Sequence, residues 1–234
     1  MSFTTPLYDP DIIASEASKI LIETRSVLFN ADEPFTYTSG RKGPVYIDCR
    51  RLISFPRARG LLMDMGVSLI AQNIGLETLD IVAGGETAGI PYAAFMAERL
   101  NLPMIYVRKQ PKGFGRMAQI EGAMEREGQQ VILVEDLQTD GGSKRIFVDA
   151  LRGAGAKIDH SFVLFHYDIF EASKKNMAEL GLTVHSLTTW PKTLQTARTL
   201  GYFDPKTLDS VQIFLDDPVG WSIAHGGKGE GNAA

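Results

Sequence analysis

A single cysteine, Cys49, occurs in 234 residues, so no intrachain disulfide and no thiolate metal site can form. That scarcity fits a reducing compartment. No uninterrupted apolar run approaches the ~18 residues of a membrane-spanning helix. The opening "MSFTTPLYDPDIIASEASK" has no charged start ahead of an apolar stretch, so no secretory signal is read. Basic excess is missing as well: 24 Lys and Arg stand against 28 Asp and Glu, a formal charge of -4. No basic stripe dominates, which argues against a general nucleic-acid binder. The expectation is a soluble, cytoplasmic protein with neither nucleic-acid nor membrane partners. Its 44% hydrophobic and 22% charged residues are ordinary for a globular enzyme, and the length suits one large domain or a domain with an appendage.

Alternating periodicities organise the chain. Residues 9–29 place Ile12, Ile13, Ala17, Ile20, Leu21 and Leu28 near helical spacing, with Asp9 as cap. "FTYTSGRKGPVYIDCR" has two β-rich halves around a Gly- and Pro-containing turn and predicts a hairpin. Helical periodicity resumes over 57–74. "LDIVAGG" predicts a strand, "AGIPYAAFMAERL" a helix and "PMIYVR" a strand. Residues 109–130 are polar and weakly periodic, a pattern expected of a lid or binding loop. "VILV" reads as a strand covered on both faces. "SKRIFVDALRGAG" predicts a helix burying Ile146, Phe147, Ala150 and Leu151, and "SFVLFHY" another strand. This alternation argues for an α/β fold with a mostly parallel sheet. Residues 188–221 are expected to form a helical tail, followed by a Gly-rich end.

The chemistry concentrates in "VILVEDLQTDGGSK". In a parallel sheet, ligands sit beyond the carboxyl ends of the strands, where Glu135 and Asp136 fall. The loop after them leads into a helix, so its amides and the Thr139 and Ser143 hydroxyls can hold an anion. A phosphorylated ribose satisfies both groups, with phosphate in the loop and hydroxyls against the acids. Either acid alone reads better as a helix cap; the whole series favours the sugar-phosphate reading. Neither the Walker spacing nor the Gly-x-Gly-x-x-Gly fingerprint fits.

"VILVEDLQTDGGS" resembles the phosphoribosyl pyrophosphate (PRPP) motif of type I phosphoribosyltransferases. "FTYTSGRKGPVYIDCR", "GGETAGIPYA" and "YVRKQPKGFGRMAQIEG" narrow the resemblance to orotate phosphoribosyltransferases. The resemblance implies a type I phosphoribosyltransferase fold over residues 1–187, with a hood from 1–55, a core of about 56–187, and a helical extension over 188–234. It implies Mg²⁺-dependent phosphoribosyl transfer from PRPP to orotate, with Mg²⁺ carried mainly by PRPP, in a homodimer sharing its catalytic loop between subunits. Asp136, Lys109 and Lys112 take catalytic roles by that resemblance. PRPP falls to Arg108, Lys109, Lys112, Glu86, Thr87 and Ala88, and to Glu135, Asp136, Leu137, Gln138, Thr139, Asp140, Gly141, Gly142 and Ser143. The Asp140 carboxylate is expected to point outward.

Orotate falls to Thr139, Arg41, Lys42, Tyr46 and Ile47. Four departures stand out. Phe114 replaces a loop histidine, Ala88 replaces a lysine, and Thr38 and Ile169 stand where relatives carry a Lys and an Arg. Arg41, Lys42 or Arg50 could supply the cation that the substrate carboxylate needs. A phosphoribosyltransferase for another base, or a PRPP-sensing regulator without catalysis, shares most of these features.

Overall fold

The computed structural model describes residues 6–115 and 118–229. The first five residues of the expected hood, Arg116 and Met117 of the expected lid, and residues 230–234 of the Gly-rich end lie outside the described residues.

Helix α1 (Pro10–Glu23) starts as expected, with the Asp9 carboxylate accepting from the Asp11 amide at 2.8 Å and Pro10 at its first position. It ends earlier than the periodicity implied. Arg25 adopts a left-handed φ of 55°, and Val27–Phe29 turn into strand β1. Leu28 is therefore a strand residue. Strand β1 pairs antiparallel with β4 (Val45–Ile47). Between them, β2 (Phe35–Thr36) and β3 (Lys42–Gly43) form the expected hairpin, only two residues long on each side.

Helix α2 (Pro56–Asn73) leads to β5 (Ile81–Gly85), α3 (Gly89–Leu100) and β6 (Met104–Val107). The stretch read as one long loop contains β7 (Ile120–Glu121), which folds back antiparallel on β6. Strand β8 (Gln130–Gln138) runs past "VILV" through both acids. After α4 (Lys144–Gly153) come β9 (Lys157–His166), α5 (Glu171–Leu180) and β10 (Thr183–Thr189). Neither α5 nor β10 was expected, and β10 extends two residues into the segment read as helical tail. That segment otherwise forms α6 (Trp190–Leu200), α7 (Pro205–Asp216) and α8 (Pro218–Ala224). Each is begun by a capping side chain, Thr189, Asp204 or Asp217, and a proline in its first turn.

The main sheet has the order β10-β9-β8-β5-β6-β7, parallel except at β7. Strand β8 is apolar on both faces because both are covered. Ile132 and Val134 join one core with α1, α2, α3 and the C-terminal helices, whereas Val131 and Leu133 join another with α4 and α5. Helix α4 departs from expectation on its buried face. Phe147, Val148 and Leu151 are buried, but Ile146 is exposed. Its place on that face belongs to Lys144, which is 1% exposed. Among the described residues, no helix is long and apolar enough to cross a membrane.

His160 on β9 and His185 on β10 meet across the sheet, Nδ1 to Nε2, at 3.1 Å. Burial, reinforced by His160, pushes His185 down to about 4. Below the ordinary imidazole value the unfolded chain binds a proton that the native state refuses, so this stability is present near neutrality and lost as pH falls towards 4. Melting temperatures compared at about pH 7 and about pH 5 should fall less in His185→Gln than in the parent chain.

Candidate active site

Strands β5 and β8 are neighbours, but the chain leaves β5 towards β6 on one side and leaves β8 towards β9 on the other. That makes the gap between their carboxyl ends a topological switch point, where the two following loops part and leave a crevice. A cleft of about 220 Å³ lies there. Its walls are the loop from β5 to α3, the end of β8, and the loop into α4. Glycines permit the close approach: a Cβ on Gly89 would overlap the Val134 carbonyl, and one on Gly85 would meet the Glu135 Cγ at 3.0 Å.

Helices α3 and α4 both begin at this cleft. Neither carries a side-chain cap, in contrast to α1, α6, α7 and α8. Their positive dipole ends therefore face the space where an anion is expected. Ser143 stands at the start of α4 with its hydroxyl making no cap, and Gly141 holds a φ of 77° beside it. A side chain at Gly141 would be strained and would also collide with Met177.

The acid pair is split by strand alternation. Glu135 turns towards Phe147 and α4, where its Oε2 takes a charged hydrogen bond from the Lys144 Nζ. Asp136 turns towards the N-terminal segment, where its charge is felt by Cys49, Tyr92 and Arg50. Burial first, helped by the neighbouring Glu135 charge, holds the Asp136 carboxyl above the ordinary carboxylate range; backbone amides and Arg50 work the other way. The two carboxylates thus have different electrostatic settings, one neutralised by a buried cation and one kept costly to ionise.

Of the residues expected from sequence, Glu86, Thr87, Ala88, Lys109, Glu135, Asp136, Leu137, Gln138, Thr139, Gly141 and Ser143 line this one cleft. Glu86 holds the lid's first residue, its Oε2 accepting from the Lys109 amide at 2.7 Å. The Gln138 side chain turns away to donate to Ser173 Oγ at 2.8 Å. Asp140 is not in the lining. Its Oδ1 accepts from the Gly142 amide at 3.1 Å, closing the loop on itself.

Other expected residues lie outside. Arg108 faces Glu121 on β7 at 3.5 Å, and Lys112 and Phe114 sit on the exposed loop beyond Lys109. On the base side, Tyr46 is exposed with its ring tilted against Phe35, centroids 5.5 Å apart, while Ile47 points into the core. Arg50 is already paired with Asp48 at 2.8 Å. Arg41 lies over the Phe170 ring, 5.9 Å from its centroid, beside Ile169. The cation missing at Ile169 is thus approached by one from the hairpin.

The phosphoribosyl transferase domain model matches residues 63–183, the part that builds this cleft. Orotate phosphoribosyltransferase of Sinorhizobium medicae is 50% identical over 227 residues, covering 97% of each chain. That of a Ruegeria species is 54% identical over 213 residues, covering 91% of this chain and 94% of its own. The chain belongs to the orotate phosphoribosyltransferase family. A solved family member, from Aeropyrum pernix, superposes with a TM-score of 0.64 at 29% identity, covering 80% of this chain and 99% of its own.

Against that family background, Lys144 is the residue the sequence reading passed over. The signal was there: Lys144, Phe147, Val148 and Leu151 fall at i, i+3, i+4 and i+7, so the lysine shares the buried stripe. A lysine so placed must find an acid, and in the structure that acid is Glu135. Removing one partner of a buried pair leaves the other charge uncompensated, at about 3–5 kcal/mol. Lys144→Met should lower unfolding stability by that order in urea titrations, and Lys144→Met combined with Glu135→Gln should regain most of it. Equal losses in the single and double variants would remove the pair as the cause.

Proposed function

We propose that the chain catalyses phosphoribosyl transfer from PRPP to orotate, giving orotidine 5′-monophosphate and pyrophosphate, as a Mg²⁺-dependent step of pyrimidine nucleotide synthesis. The observation that carries this reading is the convergence of both glycine loops and the acid pair on one cleft at the sheet's switch point. The near-full-length likeness to orotate phosphoribosyltransferases supports the choice of base.

In this reading the loop of Thr139, Gly141 and Ser143, at the start of α4, takes the 5′-phosphate, with the Asp140 and Gly142 backbone completing it. Asp136 meets the ribose hydroxyls, and Glu135, held by Lys144, sets the charge of the same wall. The loop of Glu86, Thr87 and Ala88 at the start of α3 takes the diphosphate through its backbone. Lys109, and Lys112 and Arg108 once the loop closes, stabilise the negative charge that grows on departing pyrophosphate. The loop also excludes water from the cationic ribosyl centre. Thr139, Arg41, Lys42, Tyr46 and Ile47 form the orotate side, with Arg41 over Phe170 as the first candidate for the substrate carboxylate.

No group of three or more potential metal ligands occurs among the described residues. One free carboxylate beside a phosphate cleft fits a Mg²⁺ that arrives on PRPP and keeps its waters. Such an ion would sit near Asp136 and add positive charge against the diphosphate. We further propose a cytoplasmic homodimer in which each loop reaches its neighbour's cleft, with residues 1–55 as hood, about 56–187 as core and 188–234 as extension.

Pyrophosphate release measured with orotate, uracil and hypoxanthine in parallel tests the reading: orotate alone should support turnover. PRPP binding without release for any base would point to a sensor. The raised Asp136 carboxyl also gives a signed expectation. The native state binds this proton more tightly than the unfolded chain, so ionising Asp136 costs stability as pH rises above the ordinary carboxylate value. Asp136→Asn should therefore raise the melting temperature near neutral pH while lowering kcat/KM at least about tenfold. An unchanged kcat/KM would sink its assigned role.

A further inference from the structure

The hairpin of β2 and β3 carries Arg41 and Lys42, yet two residue pairs are too few to hold such an element in place. Its outer edge is covered by the C-terminal segment. The Lys42 amide donates to Ser222 Oγ at 3.0 Å, and that hydroxyl donates to the Lys228 carbonyl at 2.7 Å. The Lys228 amide returns to the Gly40 carbonyl at 3.0 Å. These bonds close a ring between two distant parts of the chain, and its two hairpin ends, Gly40 and Lys42, flank Arg41 on either side.

The ring is tightly enclosed. Ser222 is fully buried. A Cβ on Gly227 would lie 2.7 Å from the Lys42 amide and against the Ser222 hydroxyl, so only glycine lets the strap lie this close. A Cβ on Gly40 would meet the Lys228 side chain at 2.8 Å. Behind the strap stands rigid material. Trp221 is 4% exposed, its ring stacks on His225 at 3.6 Å, and it packs edge-on to Phe214. The Phe214 ring in turn lies under Gly43.

We infer that Ser222 is a positioning residue for the base side of the site: through it, the segment from α8 to Lys228 straps the β2–β3 hairpin and fixes the backbone that presents Arg41. The strap gives the hairpin's open edge two partners, the Ser222 hydroxyl for the Lys42 amide and the Lys228 amide for the Gly40 carbonyl. Among the described residues its three hydrogen bonds reach the hairpin and none of the residues lining the phosphate cleft, so its influence is expected on one substrate only. The inference rests on the reading of Arg41 and its hairpin as the orotate side.

Two variants test it, Ser222→Ala, which removes both side-chain bonds, and Gly227→Ala, which pushes the strap off the Lys42 amide. Each should raise the orotate KM about tenfold while the PRPP KM and kcat stay within about twofold. Amide exchange across residues 35–47 should quicken, with exchange in β8 and α4 unchanged. Unchanged exchange in the hairpin overturns the strap. Faster exchange with an unchanged orotate KM overturns its link to orotate and the assignment of Arg41 together. Equal rises in both KM values overturn the selectivity on which the inference depends. Turnover of orotate by the parent chain is measured alongside; its absence defeats the proposed reaction whatever the exchange shows.

Discussion

The buried contact between Lys144 and Glu135 is the constraint around which the site is arranged. In the proposed reading the cleft accepts phosphate, and two unpaired carboxylates at the end of its central strand would both repel that ligand. Lys144 cancels one of them from inside the protein. To do so it must lie on the apolar face of α4, so the same packing of Phe147, Val148 and Leu151 that docks the helix also delivers the cation. A buried pair of this kind contributes little net stability, since desolvating two ions offsets their attraction. Its consequence is geometric: the start of α4, the glycine loop before it and the Glu135 carboxylate cannot shift independently.

The sheet topology then supplies the second wall. Because β5 and β8 are adjacent and parallel, the starts of α3 and α4 open into one crevice, and two dipole ends act on the same space. Alternation along β8 sends Glu135 to the α4 side and Asp136 to the side of Cys49 and Arg50. In the proposed reading this single residue step separates the phosphate pole of the ligand from its sugar pole, which resolves the apparent conflict between acids and anion loop.

Much of this was legible in the sequence, for physical reasons that also explain what was not. Strands buried on both faces and amphipathic helices announce themselves by period, as "VILV" and residues 57–74 did. Strand β10 did not, because "TVHSLTT" lies at the sheet edge, where polar residues are tolerated. Helix α5 hid for a related reason: its buried stripe is Ser173, Met177 and Leu180, with a serine where an apolar residue is sought. The true end of α1 depends on Arg25 in a left-handed conformation, which no residue type there signals. At the site, the acids and glycines were visible as a motif. Lys144 was hidden by being charged, since a lysine on an apolar stripe is read as solvent-facing until its partner is known. Ser222 had no signal at all, because its partner lies 180 residues away.

These contacts divide the molecule by rigidity. The wall with the two glycine loops is built from central strands, close-packed glycines and a buried ion pair. The base end is built from strands of two and three residues, a stacked arginine and a strap of three hydrogen bonds. Lys112 and Phe114, beyond it, stand in solvent. In the proposed reading, a substrate gripped first by its phosphates orders the base side around it, and departing pyrophosphate meets Lys109, already at the cleft, before Lys112 and Arg108. The order follows from where the fold is stiff and where it is not.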